Sequence, residues 1–434
     1  MEGNGNLQAK LAAIAEKSLQ ASKDDLKKVG YDLCYLNLLA AFGASRTPEE
    51  VEELAIACMR NYYRSSAQFA TLTSAETDAP GVEETMKSVV FSVDFKPGVL
   101  DAIRKLQQTS GVFISTYHWG GFRLLSLALA NQGLDVTLLM DRITHNPGSK
   151  QGEVPIQAGN MTNHLSPVLQ THFDQRVKFV VAEDKTALVR IYRAIAVRNL
   201  VMIYPDGNSG WDGPKGHDAR IAVSFLGQTI NVKTGIGRLA VLMQAPIVTL
   251  TAENQRNGRV LVDLVDVLHP PPSQSDAAQA FIDSAMQRIY SGLERCVVTR
   301  PEQWESSRHL HRWREPATGP RPEAPAELRL KILDGIESGL HYSLDRRRVA
   351  RVVVSGREVL VDAHTMCAYE ADGATVRLVS EIADRDSFAR AWEDIKLDPA
   401  RRATLLRLLA LLSARGLLML VNDLVPSAPG DSIS

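Results

Sequence analysis

Between about Ser88 and Thr251, short apolar runs alternate with longer segments in which apolar positions recur every three or four residues. The runs GVFISTY, DVTLLMD, VKFVVAE, LVMIYPD and APIVTLTAE are rich in β-branched and aromatic residues and bounded by turn formers, the pattern of strands. Between them FRLLSLALANQG, KTALVRIYRAIAVRN and GIGRLAVLMQ have helical periodicity. Strand and helix in alternation predict a largely parallel or mixed sheet with helices on its faces, the α/β class.

The flanks read differently. Residues 7 to about 70 have helical spacing, and Thr47-Pro48-Glu49-Glu50 places an N-capping Thr before a Pro at the first helical position. PATGPRPEAPAELR, from Pro316, holds four prolines in fourteen residues and reads as a linker. Beyond it ARVVVSGREVLVDAHT alternates like a hairpin turning at Ser355-Gly356, and amphipathic helices follow around 386–395 and 400–415. The expected organisation is a helical N-terminal segment (1–87), a central α/β domain (88–315), a linker (316–329), a small α+β domain (330–425) for binding or docking, and a disordered tail (426–434).

The 434 residues are 45% hydrophobic and 23% charged, ordinary globular composition. The net charge of -1 supplies no global field for DNA or an anionic membrane. Cys34, Cys58, Cys296 and Cys367 lie far apart, with no zinc spacing, and read as reduced core thiols; no metal or cofactor is expected. No secretory signal is visible at the N-terminus. The apolar runs LCYLNLLAAFGA (from Leu33) and LLRLLALLSARGLLMLV (from Leu405) are too short or too interrupted by arginine to span a bilayer, which takes about 20 apolar residues. A cytoplasmic protein without integral membrane insertion is expected.

Three segments could carry chemistry. Ser115-Thr-Tyr-His118-Trp-Gly-Gly-Phe-Arg123 is a strand ending in a histidine, followed by two glycines and a helix. Such a strand end is where α/β folds place ligands, and the glycines would let a substrate approach the backbone. Leu200-Val-Met-Ile-Tyr-Pro-Asp206-Gly runs a second strand into an acid and a turn. Phe225-Leu-Gly-Gln-Thr-Ile-Asn-Val-Lys233-Thr234-Gly235-Ile-Gly-Arg238 is a small hairpin leading into a glycine-opened helix. Its N-terminus could hold an anion or oxyanion with Lys233 or Arg238. Taken singly, each segment fits a plain structural turn as well.

Together they resemble the lipid A biosynthesis acyltransferases of the lysophospholipid acyltransferase superfamily. The resemblance runs in order through His118, Pro205-Asp206, Phe225-Leu-Gly227, Thr234-Gly235, Leu239-Ala240 and Ala245-Pro246, and closes at Pro301-Glu-Gln-Trp304 and Arg308-His-Leu-His-Arg312-Trp, covering about half the chain. It implies that His118 takes a proton from an acceptor as that group attacks an activated acyl donor. Two features depart from the family pattern. The acid expected five residues after the histidine is Arg123, and the membrane anchor expected ahead of the domain is a helical segment.

An active enzyme would then need a substitute acid. Asp206 is the first candidate, with Glu183 and Asp184 behind it. Arg123 would suit an anionic part of a substrate, and Arg142, Arg190 and Arg193 stand where the family carries basic residues. The donor implied is acyl carrier protein, coenzyme A or an aminoacyl-tRNA. The acceptor is a small-molecule hydroxyl or amine, as in natural-product or antibiotic biosynthesis. Two other readings stand beside this one. A peripheral lipid acyltransferase could dock through Leu33–Ala44, and a degenerate acyltransferase fold could serve as a scaffold. The C-terminal region faintly resembles PqqD-type peptide-recognition domains.

Overall fold

The computed structural model describes residues 13–14, 16–27, 30–74, 92–140, 176–182, 184–207, 219–314, 325–354 and 357–421. Two compact units emerge: Met1–Cys34 with Glu53–Arg314, and Tyr35–Glu52 with Glu315–Ser434. The helical N-terminal segment is therefore not a unit of its own. It contains α1 (Tyr31–Phe42) and α2 (Pro48–Ser74), and its residues are divided between the two. At the start of α2, Glu50 N–H donates to Thr47 Oγ1 and Thr47 N–H donates to the Glu50 carboxylate, a reciprocal cap that explains why the helix begins at Pro48.

The first unit is built on a seven-stranded sheet. Its strands are β1 (Val93–Phe95), β2 (Val112–Ser115), β3 (Val136–Met140), β4 (Val177–Val181), β5 (Leu200–Ile203), β8 (Ile247–Asn254) and β9 (Val260–Leu268), in the spatial order β1-β9-β8-β2-β5-β3-β4. Only the β8–β9 pair is antiparallel. A separate hairpin of β6 (Arg220–Phe225) and β7 (Gln228–Lys233) turns at Leu226 and Gly227, both at positive φ, the two-residue turn that matches strand twist.

All four residues of β2 are buried, as the centre of a sheet covered on both faces requires. One face carries Ile114, Met202, Val248 and Leu250, which join Ile103 of α3 (Val99–Gln107) and Leu125 and Leu129 of α4 (Phe122–Asn131) in one core. By strand alternation Phe113, Val201 and Ile247 face the other way, where α6 (Gly235–Met243) packs on β2 and β8 and α7 (Ala277–Thr299) packs on α6 and β9. α5 (Ala187–Ala196) lies against β4 and β5.

The second unit holds a hairpin of β11 (Val349–Val354) and β12 (Arg357–Asp362), widened by β13 (Cys367–Tyr369), and a separate pair of β10 (His341–Leu344) with β14 (Leu418–Val421). α8 (Ala326–Glu337), α9 (Gly373–Ser380), α10 (Arg385–Ile395) and α11 (Pro399–Ala414) complete it, around a core that includes Leu360, Val376, Leu405 and Leu409. The Pro-rich linker expected to run to 329 is shorter, because α8 starts directly after Pro325, where a proline costs the helix no hydrogen bond. Its residues 316–324, the Ser355-Gly356 turn and the tail 426–434 lie outside the described residues.

Among the described residues no helix is long and apolar enough to cross a membrane. Within the run Leu33–Ala44, Cys34, Leu36, Leu38, Leu39 and Phe42 are buried and Leu33 is exposed. Of the four cysteines, Cys34 and Cys58 are buried, whereas Cys296 and Cys367 are only half-buried.

Candidate active site

β2 and β5 are parallel neighbours, and Ser115 pairs with Ile203. His118 and Asp206 each follow their strand by the same three-residue extension, so the register itself brings them together at the C-terminal edge of the sheet, where α/β folds bind ligands. His118 Nδ1 lies 2.9 Å from Asp206 Oδ1, and the His118 main-chain N–H donates to both carboxylate oxygens at 3.1 and 2.9 Å. The Asp206 side chain is 0% exposed, while that of His118 is 29% exposed. A buried carboxylate needs compensating donors, and the histidine supplies two. With Asp206 ionised, Nδ1 carries the proton and Nε2 keeps its lone pair. Among the described residues Nε2 makes no hydrogen bond.

The imidazole is held on several sides. Phe122 meets it edge-on and Tyr204 lies tilted against it, both at 4.8 Å between ring centroids. Gly207 sits against its Cε1, so closely that a methyl group there would come within 2.5 Å. Burial lifts the Tyr204 hydroxyl well above the ordinary phenol range, with the Asp206 charge adding to the effect, so the ring packs as a neutral phenol.

Two tyrosines fasten the strand ends to α7. Tyr117 donates to the Ile289 carbonyl at 2.6 Å, and Tyr290 donates to the Pro205 carbonyl at 2.9 Å. Burial holds both hydroxyls well above the ordinary phenol range, again reinforced by Asp206.

The glycines after the histidine are required by the fold itself. Gly120 takes φ +65, and a Cβ there would strike the Ala252 carbonyl at 2.1 Å; one on Gly121 would strike Val260 at 2.4 Å. The loop is thus pressed onto β8 and β9. It is also stitched to the closing segment. Trp119 bridges Trp304, Gly120 N–H donates to the Gln303 carbonyl at 3.0 Å, and Glu305 N–H donates to the His118 carbonyl at 2.9 Å.

Arg123, expected to face an anionic substrate or solvent, is engaged within the protein. Its guanidinium pairs with the buried carboxylate of Glu305 and donates to Ser65 and Ser66 of α2 at 3.0 and 3.3 Å. Neither Glu305 nor this pairing was foreseen from sequence, and nor were Tyr204 and Gly207 as neighbours of His118. An arginine in place of an acid was the one signal that a carboxylate partner lay elsewhere in the chain.

The other candidates are dispersed. Lys233, Thr234, Gly235 and Arg238 form the entry to α6. That helix leads into β8 and packs on β2 and β8. Thr234 does not cap the helix with its hydroxyl, which donates to the Ala219 carbonyl at 3.2 Å instead. Gly235 and Arg238 are exposed and Lys233 half-buried. Arg190 donates to the Phe179 carbonyl at 2.7 Å, tying α5 to β4, and Arg193 is exposed on the same helix. Asp184 lies in the turn before α5, at the end of β4, which β3 separates from β5. Arg142 and Glu183 lie outside the described residues.

Comparison with protein-family models gives no match, and no curated protein matches the chain.

Proposed function

We propose that the first unit is an acyltransferase in which His118 is the general base and Asp206 its orienting acid. The observation that carries this reading is the 2.9 Å contact between His118 Nδ1 and a carboxylate withdrawn wholly from solvent, beside an imidazole whose own side chain is partly exposed. Nε2 takes the proton of an acceptor hydroxyl or amine as that atom attacks the carbonyl carbon of an activated acyl donor. Collapse of the tetrahedral intermediate breaks the bond to the donor's sulfur or oxygen, and the imidazolium returns the proton to that leaving group. Asp206 holds the Nδ1–H tautomer and stabilises the imidazolium in between.

The resemblance to lipid A biosynthesis acyltransferases supports the same assignment. It points to acyl carrier protein, coenzyme A or aminoacyl-tRNA as donor, and the exposed entry to α6 offers helix N–H groups for an anionic part of that donor or for the oxyanion. With Arg123 paired to Glu305, the donor's charge falls to Arg238, exposed at the entry to α6, rather than to Arg123.

The test is to incubate the full chain with a panel of acyl-carrier-protein, coenzyme A and aminoacyl-tRNA donors and with hydroxyl and amine acceptors, and to detect product by intact mass. Transfer that disappears in folded His118→Ala is the expected result. Undiminished turnover in that variant would remove the mechanism.

A further inference from the structure

We propose that Arg123 and Glu305 form a buried ionic latch that positions His118, making both of them positioning residues for the base. The inference rests on the reading of His118 given above. The two residues stand 182 positions apart in the chain, yet they close a small ring. It runs from His118 along the main chain to Arg123, across the ion pair to Glu305, and back through the Glu305 N–H to the His118 carbonyl at 2.9 Å. A second path reaches the same imidazole, since the Arg123 guanidinium lies over the Phe122 ring at 4.5 Å and that ring meets His118 edge-on at 4.8 Å.

The pair sits on both sides of the connection that carries the base. From the closing segment, Gln303 and Arg300 accept hydrogen bonds from Gly120 N–H and the Trp119 indole N–H at 3.0 and 3.2 Å. Gln303 is anchored in turn by paired bonds of 2.9 Å to Asn254 of β8. Glu305 is the last residue in this series and the one whose main chain touches His118.

The Arg123 side chain is 16% exposed and that of Glu305 4%. Glu305 Oε1 is buried with no hydrogen bond among the described residues. Apolar residues of similar volume would commonly stabilise such a site at least as well, so a charge pair at this depth is better explained by the single geometry it imposes than by stability. A residue opposite the sign expected five positions after the histidine, matched by a carboxylate from the closing segment, gives the loop one register and one ring orientation.

The experiment reads the imidazole rather than turnover. Uniformly ¹⁵N-labelled full-length protein is examined by NMR for the downfield Nδ1–H resonance of His118 and for the titration of its ring, picked out among ten histidines by its absence in His118→Gln. Arg123→Met combined with Glu305→Met removes the pair without leaving a buried charge alone. That variant, folded by circular dichroism, is expected to lose the resonance through exchange with water and to shift the titration midpoint, whereas Arg123→Lys, which keeps the charge pair, retains both. An unchanged resonance and midpoint in the double variant would overturn the proposal. Should the double variant not fold, Glu305→Gln reads the same signal, with loss or an upfield shift supporting the latch and an unchanged line sinking it. Acyl transfer is not needed for this measurement, so a null result here leaves the donor panel to decide the base assignment by itself.

Discussion

Asp206 accepts both the main-chain N–H of His118 and the proton on its Nδ1, so one carboxylate fixes the backbone and the ring of the same residue. The two contacts have different consequences for mutation. Asn at 206 can still accept the main-chain N–H through its amide oxygen, but it cannot stabilise an imidazolium and favours the wrong tautomer. Asp206→Asn is therefore expected to fold normally and to lower kcat/KM about 10⁴-fold, the scale seen when a triad aspartate is replaced in a serine protease. Steady-state kinetics alongside thermal melting checks this; a loss below tenfold would argue against Asp206 as the orienting acid.

Gly207 gives a steric test of the same ring. A methyl group at 207 would meet His118 Cε1 at 2.5 Å, and the side chain that must yield is the imidazole itself. Gly207→Ala should leave the melting temperature nearly unchanged while cutting turnover about 10²-fold, the scale of a 1 Å misplacement of a reacting group. Equal and large losses in both measurements would show that the position serves packing alone.

The closing segment is held by aromatic packing. Trp304 and Trp313 are fully buried, and both meet Phe225, at 5.6 and 6.3 Å between centroids. Trp304→Ala opens a large cavity immediately before Glu305 and is expected to destabilise the fold by about 3–5 kcal/mol. Urea unfolding followed by tryptophan fluorescence measures it, and a cost under about 1 kcal/mol would mean that the site collapses freely.

Acid should weaken the folded state through two histidines of the same segment. Burial, with Arg312 and Arg314 nearby, pushes the His311 imidazole down to about 4. His309 is held well below the ordinary histidine range, chiefly by burial and then by Arg308, Arg312 and His311. Both folded values lie under the unfolded one, so the unfolded chain takes up protons that the folded chain refuses. Stability is complete above about pH 6.5 and falls as the pH drops from there through about 4, by on the order of 2–3 kcal/mol for His311 alone. Chemical denaturation at a series of pH values should show that decline and lose much of it in His311→Gln.

The elements that sequence made legible are those whose pattern is undiluted. β2, β3, β4, β5 and β8 are apolar runs, and α4, α5 and α6 carry helical periodicity between them. β9 was not read, because Asp263 and Asp266 interrupt its valines and leucines and because an antiparallel return breaks the strand-helix alternation. β1 is three residues long, too short for any pattern to emerge. At the site, Asp206 could be named as a partner because both it and His118 end strands. Glu305 could not, since its pairing depends on a tertiary contact across 182 residues. The packing requirement at Gly120 and Gly121 is hidden for a similar reason, as the neighbours that demand them belong to β8 and β9.

The paired tyrosine tethers have a mechanical consequence. Tyr117, next to His118, hangs from residue 289 of α7, and Pro205, which precedes Asp206, is hung from Tyr290. His118 and Asp206 are thus tied, each through the residue before it, to one turn of the same helix.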